Sequence, residues 1–138
     1  MNYFDEEIIM DLNTHSIGYE ILTNAEHKHI VDDMNEKIPF SVSKIDWSKL
    51  GDSHIFLWQT IKHSDFQLAE IIRNFSEGNL IFVGDSACDE AYSIKPENLE
   101  QALKSFSELP QHTYILQASL NWIACISFEG DIGFALLP

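Results

Sequence analysis

The sequence predicts an α+β fold: an antiparallel sheet packed by helices on one face, in a single domain spanning residues 1–138. Three observations predict it. Ser64 to Glu77 and Pro96 to Leu109 carry apolar residues at helical spacing between recognisable start and stop signals. Between them, Asn79 to Val83 is a short apolar run of the kind a buried strand needs. After Pro110 the chain becomes strand-like segments joined by short turns. A length of 138 residues is enough to bury a core without disulfides or metal.

Taken in order, Tyr3 to Leu12 has acids followed by Ile8, Ile9 and Met10, and fits either a short helix or an edge strand. Ser16 to Leu22 alternates Ile17, Tyr19 and Ile21 against Gly18 and Glu20, which predicts a strand. Thr23 or Asn24 then caps a helix through Glu36, with Ile30, Val31 and Met34 on its apolar side and Pro39 ending it. Phe40 to Leu50 reads as irregular, with Trp47 tucked inward and Lys44 and Lys49 outside. Gly51 and Asp52 mark a break. His54 to Ile61 is ambiguous between strand and helix, and the expectation here is a helix capped by Asp52 or Ser53.

Ser64 with Gln67 fits a capping box, Leu68, Ile71, Ile72 and Phe75 line one face, and Gly78 stands where a left-handed terminator belongs. Asn79 to Val83 and Ala91 to Ile94 predict a strand pair in which Tyr92 and Ile94 share a face. Pro96 suits a first helical turn, Leu99, Ala102, Leu103 and Phe106 make the next apolar stripe, and Pro110 stops it. Thr113 to Ala118, Trp122 to Phe128 and Ile132 to Leu137 predict three further strands. The last two are joined by Glu129, Gly130 and Asp131, with glycine where a positive φ is wanted.

Charge is the unusual quantity. Twenty-two acids against 8 bases give a net charge of −14, which argues against nucleic acid or an anionic membrane as a direct partner. Met1 to Glu36 holds nine acids and Lys28 alone, net −8, and Glu77 to Pro138 holds nine acids and two bases, net −7, while the middle is near neutral at +1. Folded next to each other, the two ends would make one negative face. The loop after Val83 adds Asp85, Asp89 and Glu90, with no lysine or arginine between Arg73 and Lys95.

Cofactor and catalytic signatures are sparse. The sequence has no P-loop, GxGxxG, HExxH or CxxC, so nucleotide cofactors and metal are not expected. His27 and His29, two apart on a helix, would point about 200° away from each other. Ser86 and Cys88 follow a strand, where nucleophiles often sit, but the second glycine of a GxSxG elbow is missing and nearby acids would raise a thiol pKa. With only Cys88 and Cys125 and no secretory leader, two free thiols in the cytoplasm are expected. Apolar runs are too short for a membrane span.

The tail from Ser119 to Phe134, SLNWIACISFEGDIGF, taken with Gly84-Asp85-Ser86 and Leu109 to Tyr114, resembles the small acidic immunity proteins of bacterial toxin systems, including contact-dependent growth inhibition. The resemblance covers roughly the second half of the chain, and Met1 to Ser53 carries none of it. It implies a cytoplasmic, non-enzymatic inhibitor that occupies or covers the active site in the C-terminal domain of one cognate toxin. Many such toxins are nucleases with basic clefts, which an acidic inhibitor meets by mimicking the phosphate backbone. The expected contacts are the carboxylates of Asp85, Asp89, Glu90, Glu129 and Asp131, with Tyr92 and Trp122 as aromatic anchors. For Trp122 the competing reading is a core position shared with Ala124, Ile126 and Phe128. Two other functions remain open: a small cytosolic hydrolase or transferase using Ser86 or Cys88, and an acidic scaffold domain for a basic protein.

Overall fold

Asn2 opens the first helix. Its side-chain oxygen accepts the Asp5 N–H at 2.9 Å and the Asp5 carboxylate accepts the Asn2 N–H at 3.2 Å, a reciprocal capping box. The structure, a computed structural model, describes residues 1–41, 44–51, 53–57 and 64–137, with side chains described outside 53–57 and 64–66. Helix α1 (Tyr3–Thr14) settles the two readings of its segment: Asp5, Ile8 and Leu12 form one buried stripe while Met10 is exposed. It ends in a Schellman motif, with Ser16 in the left-handed region and the Ile17 N–H on the Leu12 carbonyl at 2.9 Å.

Strand β1 (Tyr19–Ile21) leads into α2 (Asn24–Lys37), capped by Thr23 in a second box with Glu26. Ile30 and Met34 are its buried residues. The segment read as irregular holds a two-residue hairpin, β2 (Phe40–Ser41) with β3 (Lys44–Ile45), and a 3₁₀ turn at Trp47–Lys49. Lys44 and Lys49 are exposed as expected, and Trp47 is half-buried, its indole lying over Gly133.

The helix expected over 54–61 is overturned where the structure describes it, because β4 (Ser53–Leu57) is a strand. Its backbone pairs antiparallel with the last strand, from Ser53 opposite Ala135 to Leu57 opposite Asp131. An apolar run satisfies either periodicity, and a partner far along the chain decided the outcome. Ser53 therefore starts a strand, while Asp52 and residues 58–63 lie outside the described residues, as do the side chains of Ser53 and of Ser64 in the expected capping box.

Helix α3 (Ser64–Phe75) buries Leu68, Ala69 and Ile72, and stops two residues short of Glu77. Gly78 takes φ +80°. The Gln117 side chain holds the exit, accepting the Glu77 N–H at 3.2 Å and donating to the Glu77 and Asn79 carbonyls at 2.6 and 3.1 Å. Phe75, expected on the core face, is 50% exposed but keeps its ring 5.6 Å from Phe134. β5 (Leu80–Gly84) and β6 (Ala91–Ile94) form the expected pair. Pro96–Asn98 makes a 3₁₀ turn into α4 (Leu99–Ser107), whose stripe of Leu99, Ala102, Leu103 and Phe106 is buried. Arg73 ties α3 to α4 through both Glu100 carboxylate oxygens at 2.6 and 2.7 Å.

β7 (His112–Leu116), β8 (Trp122–Ser127) and β9 (Asp131–Leu136) complete a seven-stranded sheet of order β1-β6-β5-β7-β8-β9-β4, antiparallel at each step. Gly130 turns the last hairpin at φ +100°. Side chains alternate between two cores. Phe82, Tyr92, Trp122 and Phe134 face α1, α3 and α4, the helices expected on one side. Val83, Tyr114, Ile123 and Ala135 face the other way, beneath α2 and the β2–β3 hairpin. No helix of the described residues is long and apolar enough to cross a membrane.

Candidate binding surface

Strand direction and register decide which loops meet. Gly84 pairs with Thr113, His112 with Ser127, Ile126 with Ile132, and Leu57 with Asp131. The β5–β6 loop and the β8–β9 turn therefore leave the same end of the sheet. Asp85, Asp89 and Glu90 come from the first and Glu129 and Asp131 from the second, so the five carboxylates singled out in the sequence share one end of the molecule. Glu90 is half-buried and the others are exposed. Among the described residues Lys44 reaches this set, standing 3.4 Å from Glu129, and His112 reaches Asp85. Several other acids are committed locally: Asp32 to Lys28, Asp33 to His29 and Glu100 to Arg73.

The acidic loop is held in shape by buried polar groups. The Asp5 carboxylate, inaccessible to solvent, accepts the Asp89 N–H at 3.0 Å, the Glu90 N–H at 3.2 Å and the Tyr92 hydroxyl at 2.5 Å. Burial alone would raise the Asp5 pKa, but these donors and the Asn2 N–H outweigh it and leave the carboxyl below its ordinary value. Gln111, also buried, accepts the Ala87 and Cys88 N–H groups at 3.1 and 2.9 Å and donates to the Thr113 hydroxyl at 2.9 Å. Gly84 makes room for it, since a Cβ there would overlap the Gln111 amide. The Asn2 side chain adds a donor to the Ala87 carbonyl at 2.6 Å. Through Asn2 and Asp5 the acidic first segment of the chain lies against the acidic last one.

Asp85 organises the middle of this end. Its carboxylate accepts the His112 backbone N–H at 2.9 Å, His112 Nδ1 at 2.8 Å and the Ser86 hydroxyl at 3.1 Å. The pair stands between two cavities on the α2 face. Asp85 lines one of about 390 Å³ with Val31, Met34, Phe40 and Tyr114. His112 lines another of about 240 Å³ with Trp47, Ser127 and Asp131.

A comparison with protein-family models, curated proteins and solved structures finds no match to this chain.

Two expected contacts are corrected by burial. Tyr92 has no exposed surface and spends its hydroxyl on Asp5, and Trp122 is 1% exposed and stacked 5.7 Å from Phe134. Both hold the scaffold and neither can touch a partner. The competing core reading holds for Trp122, Ala124 and Ile126, but Phe128 lies past the end of β8 and is 62% exposed beside Glu129. Alternation alone placed Phe128 inside, and the strand end changed that. Asp5 and Gln111 were not singled out in the sequence at all. The spacing of Asn2 and Asp5 carried a local capping signal, but nothing local reveals donors more than eighty positions away.

The nucleophile candidates have unreactive surroundings. Burial, reinforced by the Asp5 charge, pushes the Cys88 thiol up to about 12, so it stays protonated near neutral pH. Cys125 is buried and raised for the same first reason. Ser86 donates to Asp85, so the carboxylate stands between that hydroxyl and His112 where a triad would place the imidazole.

Proposed function

We propose that this chain is a non-enzymatic inhibitor of the immunity-protein class. In this reading it acts in the cytoplasm and binds the C-terminal domain of one cognate bacterial toxin, occluding the basic substrate cleft of a nuclease. The observation that carries the reading is the placement of five carboxylates at one end of the sheet, three of them on a loop clamped by Asp5 and Gln111. A pre-shaped loop avoids an ordering cost of about 0.5–1.5 kcal/mol per immobilised side chain on binding. A concentrated negative field speeds encounter with a cationic cleft and resembles the phosphate backbone such a cleft accepts. Net charge of −14 sets nucleic acid and anionic membranes aside as partners in this reading.

The test is to mix the purified chain with the toxin encoded beside its gene, measuring nuclease activity and association at two salt concentrations. Stoichiometric loss of nuclease activity, with association faster at the lower salt, is expected. A toxin left fully active by excess protein would overturn the reading.

One observation favours a second reading. A histidine oriented by an aspartate at a cavity mouth is a general-base arrangement, so turnover of a small substrate abolished by His112→Ala would move the assignment to an enzyme.

A further inference from the structure

The cavity beside His112 has the makings of a socket for one cationic side chain. At about 240 Å³ it falls below the roughly 300–1,000 Å³ typical of cofactor-sized sites, which suits a single side chain. Its walls are apolar, with Ile45, Ile132 and the half-buried Trp47 indole, which is fixed in place where Gly133 lacks a Cβ. Apart from the Lys44 ammonium at its rim, its polar side chains can accept hydrogen bonds. Asp85 holds His112 Nδ1 at 2.8 Å, so a neutral imidazole with its proton there keeps Nε2 as an acceptor. Ser127 and Asp131 lie across the neighbouring strands, linked by the Asp131 N–H on the Ser127 hydroxyl at 3.1 Å. The lysine at the rim, Lys44, is engaged by Glu129 at 3.4 Å, and Asp131 has no lysine or arginine partner among the described residues. At Cys125, on the cavity lining, burial first and then the Asp85 and Asp131 charges raise the thiol pKa against a smaller opposite effect of Lys44.

We propose that this cavity receives an arginine side chain of a basic protein partner. The methylene stem lies along Ile45 and Ile132, and the guanidinium meets Asp131 and the His112–Asp85 pair, with the Trp47 indole beside it. A forked, weakly hydrated guanidinium suits several acceptors spread over adjacent strands and an aromatic wall better than an ammonium does. The inference rests on the partner-binding reading above and names the anchor within that surface.

Agmatine, an alkylguanidine, tests it without any partner protein. Titrated into the ¹⁵N-labelled full chain, it is expected to give saturable shifts confined to Trp47, His112, Ser127 and Asp131. Putrescine, which has the same four-carbon chain and net charge but an ammonium in place of the guanidinium, should bind more weakly. Asp131→Asn, an exposed change checked for folding by circular dichroism, should weaken agmatine binding about tenfold or more. Trp47→Ala should weaken it independently. Shifts spread over all surface carboxylates, equal binding of putrescine, or no saturable shift would each overturn the proposal. A failed agmatine titration alongside intact toxin neutralisation would remove the socket and leave the surface reading standing.

Discussion

The carboxylate of Asp5, in the first turn of α1, accepts the backbone N–H of Asp89 at 3.0 Å. Through this bond a helix at one end of the chain sets the conformation of a loop eighty-four residues later, and the neighbouring bonds to Glu90 and Tyr92 make it a cluster.

Replacing Asp5 should therefore cost more than a helix cap. Asp5→Ala leaves the buried Tyr92 hydroxyl and two N–H groups without their acceptor and should lower stability by about 2–4 kcal/mol, read by urea denaturation at pH 7. The pH dependence has a definite sign. Because the folded-state pKa is depressed, the stability it confers is complete above the unfolded value near 3.9 and is lost as pH falls through the folded value. The gap between wild type and Asp5→Asn should thus narrow when the denaturation is repeated below pH 3. A constant gap would show that the charge of Asp5 is not what the loop uses.

Gly84 should be nearly as sensitive as a buried position. Gly84→Ala pushes a methyl into the Gln111 amide and displaces the acceptor of the Ala87 and Cys88 N–H groups, at a cost of about 1–3 kcal/mol. Gln111→Ala removes the same acceptor. The double variant should cost markedly less than the two single losses added together, and additive losses would separate the two residues.

Cys88 and Cys125 should resist alkylation in the folded protein. Both are buried, and Cys88 is raised to about 12, leaving little thiolate at pH 8. Iodoacetamide labelling read by mass spectrometry should modify them only in denaturant. Rapid labelling of Cys88 under native conditions would instead reveal an activated thiol.

Much of this architecture is visible in local sequence, and the reasons for the exceptions are physical. Helices α3 and α4 carry full apolar stripes, and α2 carries its capping box, so their own residues suffice. β4 is not determined that way: Ile55, Phe56 and Leu57 satisfy either period, and the edge of β9 selects a strand. The acidic residues of the surface were legible because charge needs no partner to be seen. Its support was not, because Asp5 and Gln111 act through backbone groups far along the chain. Nearness to acidic loops in sequence suggests Tyr92 and Trp122 as anchors but says nothing about which face of a strand a ring occupies, and for Trp122 the competing core reading is the one that holds.

The central claim is that one end of the sheet, and not net charge in general, meets a basic partner. Stopped-flow association with the cognate toxin tests it most directly by comparing two triple charge reversals. One is Asp89→Lys, Glu90→Lys and Asp131→Lys at the acidic end; the other is Glu20→Lys, Glu77→Lys and Glu97→Lys away from it. Asp85 is left intact because it holds His112. At low salt the first set should slow association about tenfold or more and the second far less, with the difference shrinking as salt is raised. Equal slowing by both sets, or none by the first, would contradict the account.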